Sequence, residues 1–136
     1  MGKSSPVQFY WGSFDLCLIR FSGRPAPPHP SGIPFVVEAS SHEQFVVGFW
    51  PGSGAMQAPA FYAYAYPEPE GLRAARIAPV GAAWHAEMQE FILPYEAIRS
   101  LDQPEQALLD FCQSTYAAAA ELGHWDRAAL ERPFPR

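Results

Sequence analysis

Residues 61–66 read Phe61-Tyr62-Ala63-Tyr64-Ala65-Tyr66, a strict two-residue alternation. In a strand this puts Tyr62, Tyr64 and Tyr66 on one face and Phe61, Ala63 and Ala65 on the other. The small residues let a helix pack closely on their side. The tyrosines are apolar in body and polar at the tip, so their hydroxyls need water, a protein acceptor or a ligand. The stretch predicts a sheet with one face closed by a helix and the other face open to a pocket or a partner.

On the upstream side, Gln44–Trp50 reads as a strand ended by the breaker cluster Pro51-Gly52-Ser53-Gly54. Phe35–Glu38 reads as a short strand. Residues 23–34, with Pro25, Pro27, Pro28, Pro30 and Pro34, read as a stiff surface loop. Residues 7–21 read as one long strand bent at Gly12, with Phe14, Leu16 and Leu18 on one face and Ser13, Asp15 and Cys17 on the other. Downstream, residues 72–87 carry too little periodicity to assign. Met88–Leu93 reads as a further strand that Pro94 ends, with a short helix over Tyr95–Arg99. The strongest helix covers 103–122, with Asp102 as N-cap, Glu105 three residues on and Gly123 at the C-terminal end. Its apolar stripe is Leu108, Leu109, Phe111, Cys112, Tyr116, Ala119, Ala120 and Leu122. Asp126 caps a second short helix. Strands come first and helices last. The expected class is α+β, a mainly antiparallel sheet of about 4–5 strands with a long C-terminal helix on one face and a short terminal helix. One domain over 1–136 is expected, strand-rich over 7–93 and helical over 95–131.

Composition narrows the function classes. The chain has 136 residues, 49% of them hydrophobic, 15% aromatic and 17% charged, with a formal net charge of −5. Lys3 is the only lysine and no block of like charge occurs, which argues against nucleic-acid binding. No apolar run approaches the roughly 20 residues needed to span a membrane. The first residues lack the apolar stretch of an export signal, and Cys17 and Cys112 read as free thiols, so a cytoplasmic protein is expected.

Several side chains could carry chemistry. His42 beside Glu43 offers a general base next to a carboxylate; the plainer alternative is a pair of ordinary surface residues at a turn. Asp15 sits among Phe14, Leu16 and Leu18, and acids are seldom buried unless paired; a structural ion pair is the plainer alternative. Arg20 is the nearest base in sequence, although a regular strand turns it to the opposite face. Trp50 shares parity with His42, and Gly48 leaves a gap between Val46 and Trp50. A metal site from His29, His42 and His85 with Glu90 is conceivable, but no Cys-x-x-Cys and no helical His pair supports it, so neither metal nor cofactor is expected.

The phrases Gly12-Ser13-Phe14-Asp15-Leu16, Arg20-Phe21-Ser22-Gly23-Arg24, Ser41-His42-Glu43, Gly48-Phe49-Trp50-Pro51-Gly52, Tyr64-Ala65-Tyr66-Pro67-Glu68-Pro69 and Leu93-Pro94-Tyr95-Glu96 occur together. The set resembles a bacterial family known only as a domain of unknown function. The resemblance covers nearly the whole chain and implies that it corresponds to the C-terminal half of a longer architecture. The expected partners follow: a homodimer, or a partner supplying the upstream half, besides a small molecule.

The expected function is small-molecule binding in a pocket lined by Tyr62, Tyr64, Tyr66 and Trp50, with Arg20 among the ligand contacts. The alternatives are a homodimeric assembly module without ligand, and an acid–base enzyme using His42 with Glu43 or Asp15.

Overall fold

The computed structural model describes residues 3–54 and 56–132; residues 1–2, 55 and 133–136 of the expected unit lie outside the description. Seven strands form one antiparallel sheet. They are β1 (Lys3–Ser4), β2 (Gln8–Tyr10), β3 (Asp15–Pro25), β4 (His42–Trp50), β5 (Ala60–Tyr66), β6 (Ala83–His85) and β7 (Glu90–Pro94). The order is β1-β3-β4-β5-β7-β6, and β2 also pairs with β3. The helices are α1 (Pro34–Ala39), α2 (Tyr95–Ile98), α3 (Pro104–Leu122) and α4 (Arg127–Leu130). The class is α+β, as expected.

The alternation at 61–66 sets the two layers. Phe61, Ala63 and Ala65 face α3, and Ala63 and Ala65 are buried there with Phe45, Phe91, Leu93 and Phe111. Burial of each large side chain in this layer stabilises the fold by about 1.5–3 kcal/mol. The buried stripe of α3 is Ala107, Phe111, Thr115, Tyr116, Ala119 and Ala120. Leu109 and Leu122 fall outside it and are 53% and 38% exposed. Thr115 is tolerated inside because its hydroxyl donates to the Phe111 carbonyl at 2.6 Å.

Several boundaries differ from the sequence expectation. Residues 7–21 are not one bent strand but a hairpin, β2 and β3, whose turn is closed by the Phe14 N–H donating to the Tyr10 carbonyl at 2.7 Å. Phe14 takes a left-handed conformation (φ 61°), stabilised by edge-on packing of its ring against Phe9 and Trp11. β3 runs through Pro25 into the expected loop, with a register shift between Phe21 and Pro25 that Gly23 (φ 88°) accommodates. Phe35–Glu38 is helical, because Pro34 opens a turn in which Ile33 accepts from the amides of Val36 and Val37. Asp102 does not cap α3; Gln103 stands at the N-cap and Pro104 opens the helix. Gly123 stays right-handed (φ −78°), and His124 takes the left-handed position that ends the helix. Asp126 does cap α4, accepting from the Ala129 amide. Among the described residues no helix is long and apolar enough to cross a membrane.

Candidate functional site

The face of the sheet away from α3 carries the tyrosines. Register places Gly48 and Val46 of β4 beside Tyr62 and Tyr64, and Cys17 of β3 beside Gly48. Ile92 of β7 lies opposite Tyr62 on the other side, so Glu90, two residues away, projects from the same face. A cavity of about 400 Å³ opens on this face. Asp15, Trp50, Tyr62, Tyr64 and Glu90 line it, together with Gly12, Ser13, Ser53 and Met88.

The three tyrosine hydroxyls have three different environments. Tyr62 donates to Asp15 Oδ2. Its ring crosses the bare backbone of Gly48, where a Cβ would stand 2.5 Å from the phenol oxygen. Only glycine permits that approach. Tyr66 donates to the Pro27 carbonyl at 2.8 Å and packs beside His29, which ties it to the proline loop. Tyr64 stacks on Tyr62 (6.3 Å between centroids, 17° between planes) and lines the cavity.

The electrostatics are those of a half-buried acidic pocket. Asp15 is buried, and both its oxygens accept, one from Tyr62 and one from the Ser13 hydroxyl. Trp50 Nε1 donates to the Ser13 carbonyl at 3.1 Å, which fixes the hairpin turn beside the cavity. Burial pushes the Glu90 carboxyl up to about 7, with the Asp15 charge adding to the effect. Burial likewise pushes Tyr64 up to about 12, with the charges of Cys17, Glu90 and Asp15 reinforcing it. Tyr62 and Cys17 are also raised, chiefly by burial.

A family model matches residues 1–132. The chain belongs to DUF5996, a family of unknown function. No curated protein and no solved structure matches it.

Of the side chains singled out from sequence, the DUF5996 fold brings Asp15, Trp50, Tyr62 and Tyr64 together. Tyr66 lies beyond the cavity, against the proline loop. Arg20 is on the opposite face: strand alternation turns it toward α3, where its guanidinium lies 3.6 Å over the Tyr116 ring. His42 and Glu43 do not form a pair, because neighbouring residues of a strand point to opposite faces. His42 is exposed and bonds to the Ser41 hydroxyl, whereas Glu43 accepts from Arg24 (2.8 Å) and Ser22 (2.7 Å). Arg24 also donates to the Gly123 and His124 carbonyls, so this ion pair fastens the end of β3 to the C-terminus of α3. Among the described residues no cluster of three or more His, Cys, Asp or Glu side chains is placed to hold a metal ion. Glu90, which the sequence offered only as a conceivable metal ligand, and Ser13, which it placed only on the strand face of Asp15, both line the cavity. The available signal was an acid, Glu90, at the same strand parity as Ile92.

Proposed function

We propose that this domain binds a small molecule in the tyrosine-face cavity. The observation that carries the reading is the cavity itself, about 400 Å³, bounded by Trp50, Tyr62 and Tyr64 and by two carboxylates. That volume falls in the range of small-molecule sites, roughly 300–1,000 Å³, and apolar walls with a few placed polar groups are their usual lining. Tyr62 and Asp15 brace the floor through their hydrogen bond, so Tyr64 and Glu90 are the side chains offered to a ligand. The same proposal takes the domain as a bacterial cytoplasmic protein, in keeping with the unpaired cysteines Cys17 and Cys112. A fragment library titrated into isotope-labelled protein tests it. Binders should shift the amides of Gly12, Ser13, Ser53 and Met88 and the Trp50 indole, and native mass spectrometry of protein from its host should show a retained small molecule. Fragments that shift only residues on the α3 side would refute the reading.

A second reading is assembly, as a homodimer or with a partner carrying an upstream half. Its support is the hairpin tip, where Trp11 is 81% and Phe14 59% exposed beside Phe9 and Leu16. Exposed aromatics in contact with one another are unusual on a monomer. Light scattering on the eluting protein tests this; a monomer at working concentration removes the homodimer.

A further inference from the structure

We propose that the tyrosine-face cavity is selective for small organic ammonium ions. This rests on the reading that the cavity binds a small molecule, and names the class of ligand. The first argument is charge. Two carboxylates, Asp15 and Glu90, enter the cavity wall, and among the described residues no lysine, arginine or histidine is part of it. Elsewhere five acids have arginine partners: Glu43 with Arg24, Glu68 with Arg73, Glu96 with Arg99, and Glu121 and Glu131 with Arg127. Among the described residues no ion pair reaches Asp15 or Glu90. The two hydroxyls on Asp15 satisfy its oxygens but bring no positive charge.

The second argument is the wall chemistry. Trp50, Tyr62 and Tyr64 present rings whose faces carry partial negative charge, and a cation over such a face is attracted further once water is excluded. An anion would be repelled by Asp15 and would hold the proton on Glu90, and a neutral ligand would leave that proton in place. An ammonium ion pairs with Glu90 and gains from the rings.

Other titratable groups face Glu90. Asp15 comes from β3, Tyr64 from β5, and His85 stands opposite Glu90 in the β6–β7 ladder. The Nδ1 of His85 accepts from the Met88 amide at 3.2 Å, so that nitrogen serves the hairpin turn. Because the Glu90 carboxyl titrates at about 7, a bound cation displaces its proton, and cation binding at neutral pH releases protons.

The test uses three probes of one shape and different charge: benzylammonium, benzyl alcohol and benzoate. Calorimetric titrations in two buffers of different ionisation heat give affinity and proton release together. Benzylammonium should bind at least about ten-fold tighter than the other two. It should release a fraction of a proton at pH 7 and lose at least about ten-fold in affinity in Glu90→Gln. Raising salt from about 50 to 500 mM should weaken the amine and leave the alcohol unchanged in the wild-type chain, which keeps the test decisive if the variant folds poorly. Equal binding of amine and alcohol, with shifts at Trp50 and Ser13, overturns the charge preference while the pocket reading stands. No binding by any probe below about 10 mM overturns both.

Discussion

Tyr62 donates a hydrogen bond to Asp15 across two strand spacings, and it does so over the bare backbone of Gly48. A Cβ on Gly48 would lie within 2.6 Å of the phenol ring and still closer to the Leu16 carbonyl. In most strands Gly→Ala is stabilising by about 0.5–1 kcal/mol. Here the sign reverses. Gly48→Ala should cost about 2–3 kcal/mol, because the phenol must leave its groove and the Leu16 backbone cannot yield. A shift in urea midpoint measures this; a neutral or stabilised variant would contradict the geometry.

Removing the hydroxyl alone isolates the hydrogen bond. Tyr62→Phe keeps the ring over Gly48 and leaves one oxygen of the buried Asp15 without its donor. The expected loss is about 1–3 kcal/mol. Tyr66→Phe removes a hydroxyl whose acceptor, the Pro27 carbonyl, lies at an exposed site, and it should stay within about 0.5 kcal/mol of wild type. Chemical denaturation of the two variants side by side checks the ordering. Equal losses would mean that the Tyr62–Asp15 bond carries no special weight.

The layers were legible because periodicity is a local property. The alternation at 61–66 announced both faces of β5, and the apolar spacing of α3 announced the element that covers one of them. The site was only half legible because it depends on register. Asp15, Tyr62 and Glu90 lie on β3, β5 and β7, and only the pairing of Gly48 with Cys17 and Tyr62, and of Tyr62 with Ile92, brings them together. No short window of sequence encodes that. The hairpin turn was missed because its left-handed residue is Phe14, not Gly12. β6 was missed because three residues, Ala83–His85, are too few to show a period.

Arg20 offers a test of which face it serves. Its guanidinium lies over Tyr116, a buried residue of α3, so it clamps the helix to the sheet. Arg20→Ala should destabilise the fold by about 1–2 kcal/mol, and Arg20→Lys by less, since an ammonium retains part of the cation–π attraction but not the planar stacking. Fragment affinity at the tyrosine face should be unchanged in both. A variant that lost ligand binding with full stability would place Arg20 in the site after all.

Glu90 sets a pH dependence whose direction is fixed. Its carboxyl titrates near the ordinary 4.5 when the chain is unfolded and at about 7 when folded, so the native state holds this proton more tightly. Its contribution to stability is full below pH 4.5 and is lost as pH rises through about 7. Allowing for partial exposure, the change is on the order of 1–2 kcal/mol. Glu90→Gln stays neutral throughout and lacks this slope. Glu131, held below its usual range by Arg127, contributes with the opposite sign, but it is common to both proteins and cancels in their difference. Urea midpoints of wild type and Glu90→Gln between about pH 4.5 and 8 should therefore diverge in favour of the variant as pH rises. Parallel profiles would show that Glu90 is solvated as an ordinary surface acid, and the acidic character of the cavity would rest on Asp15 alone.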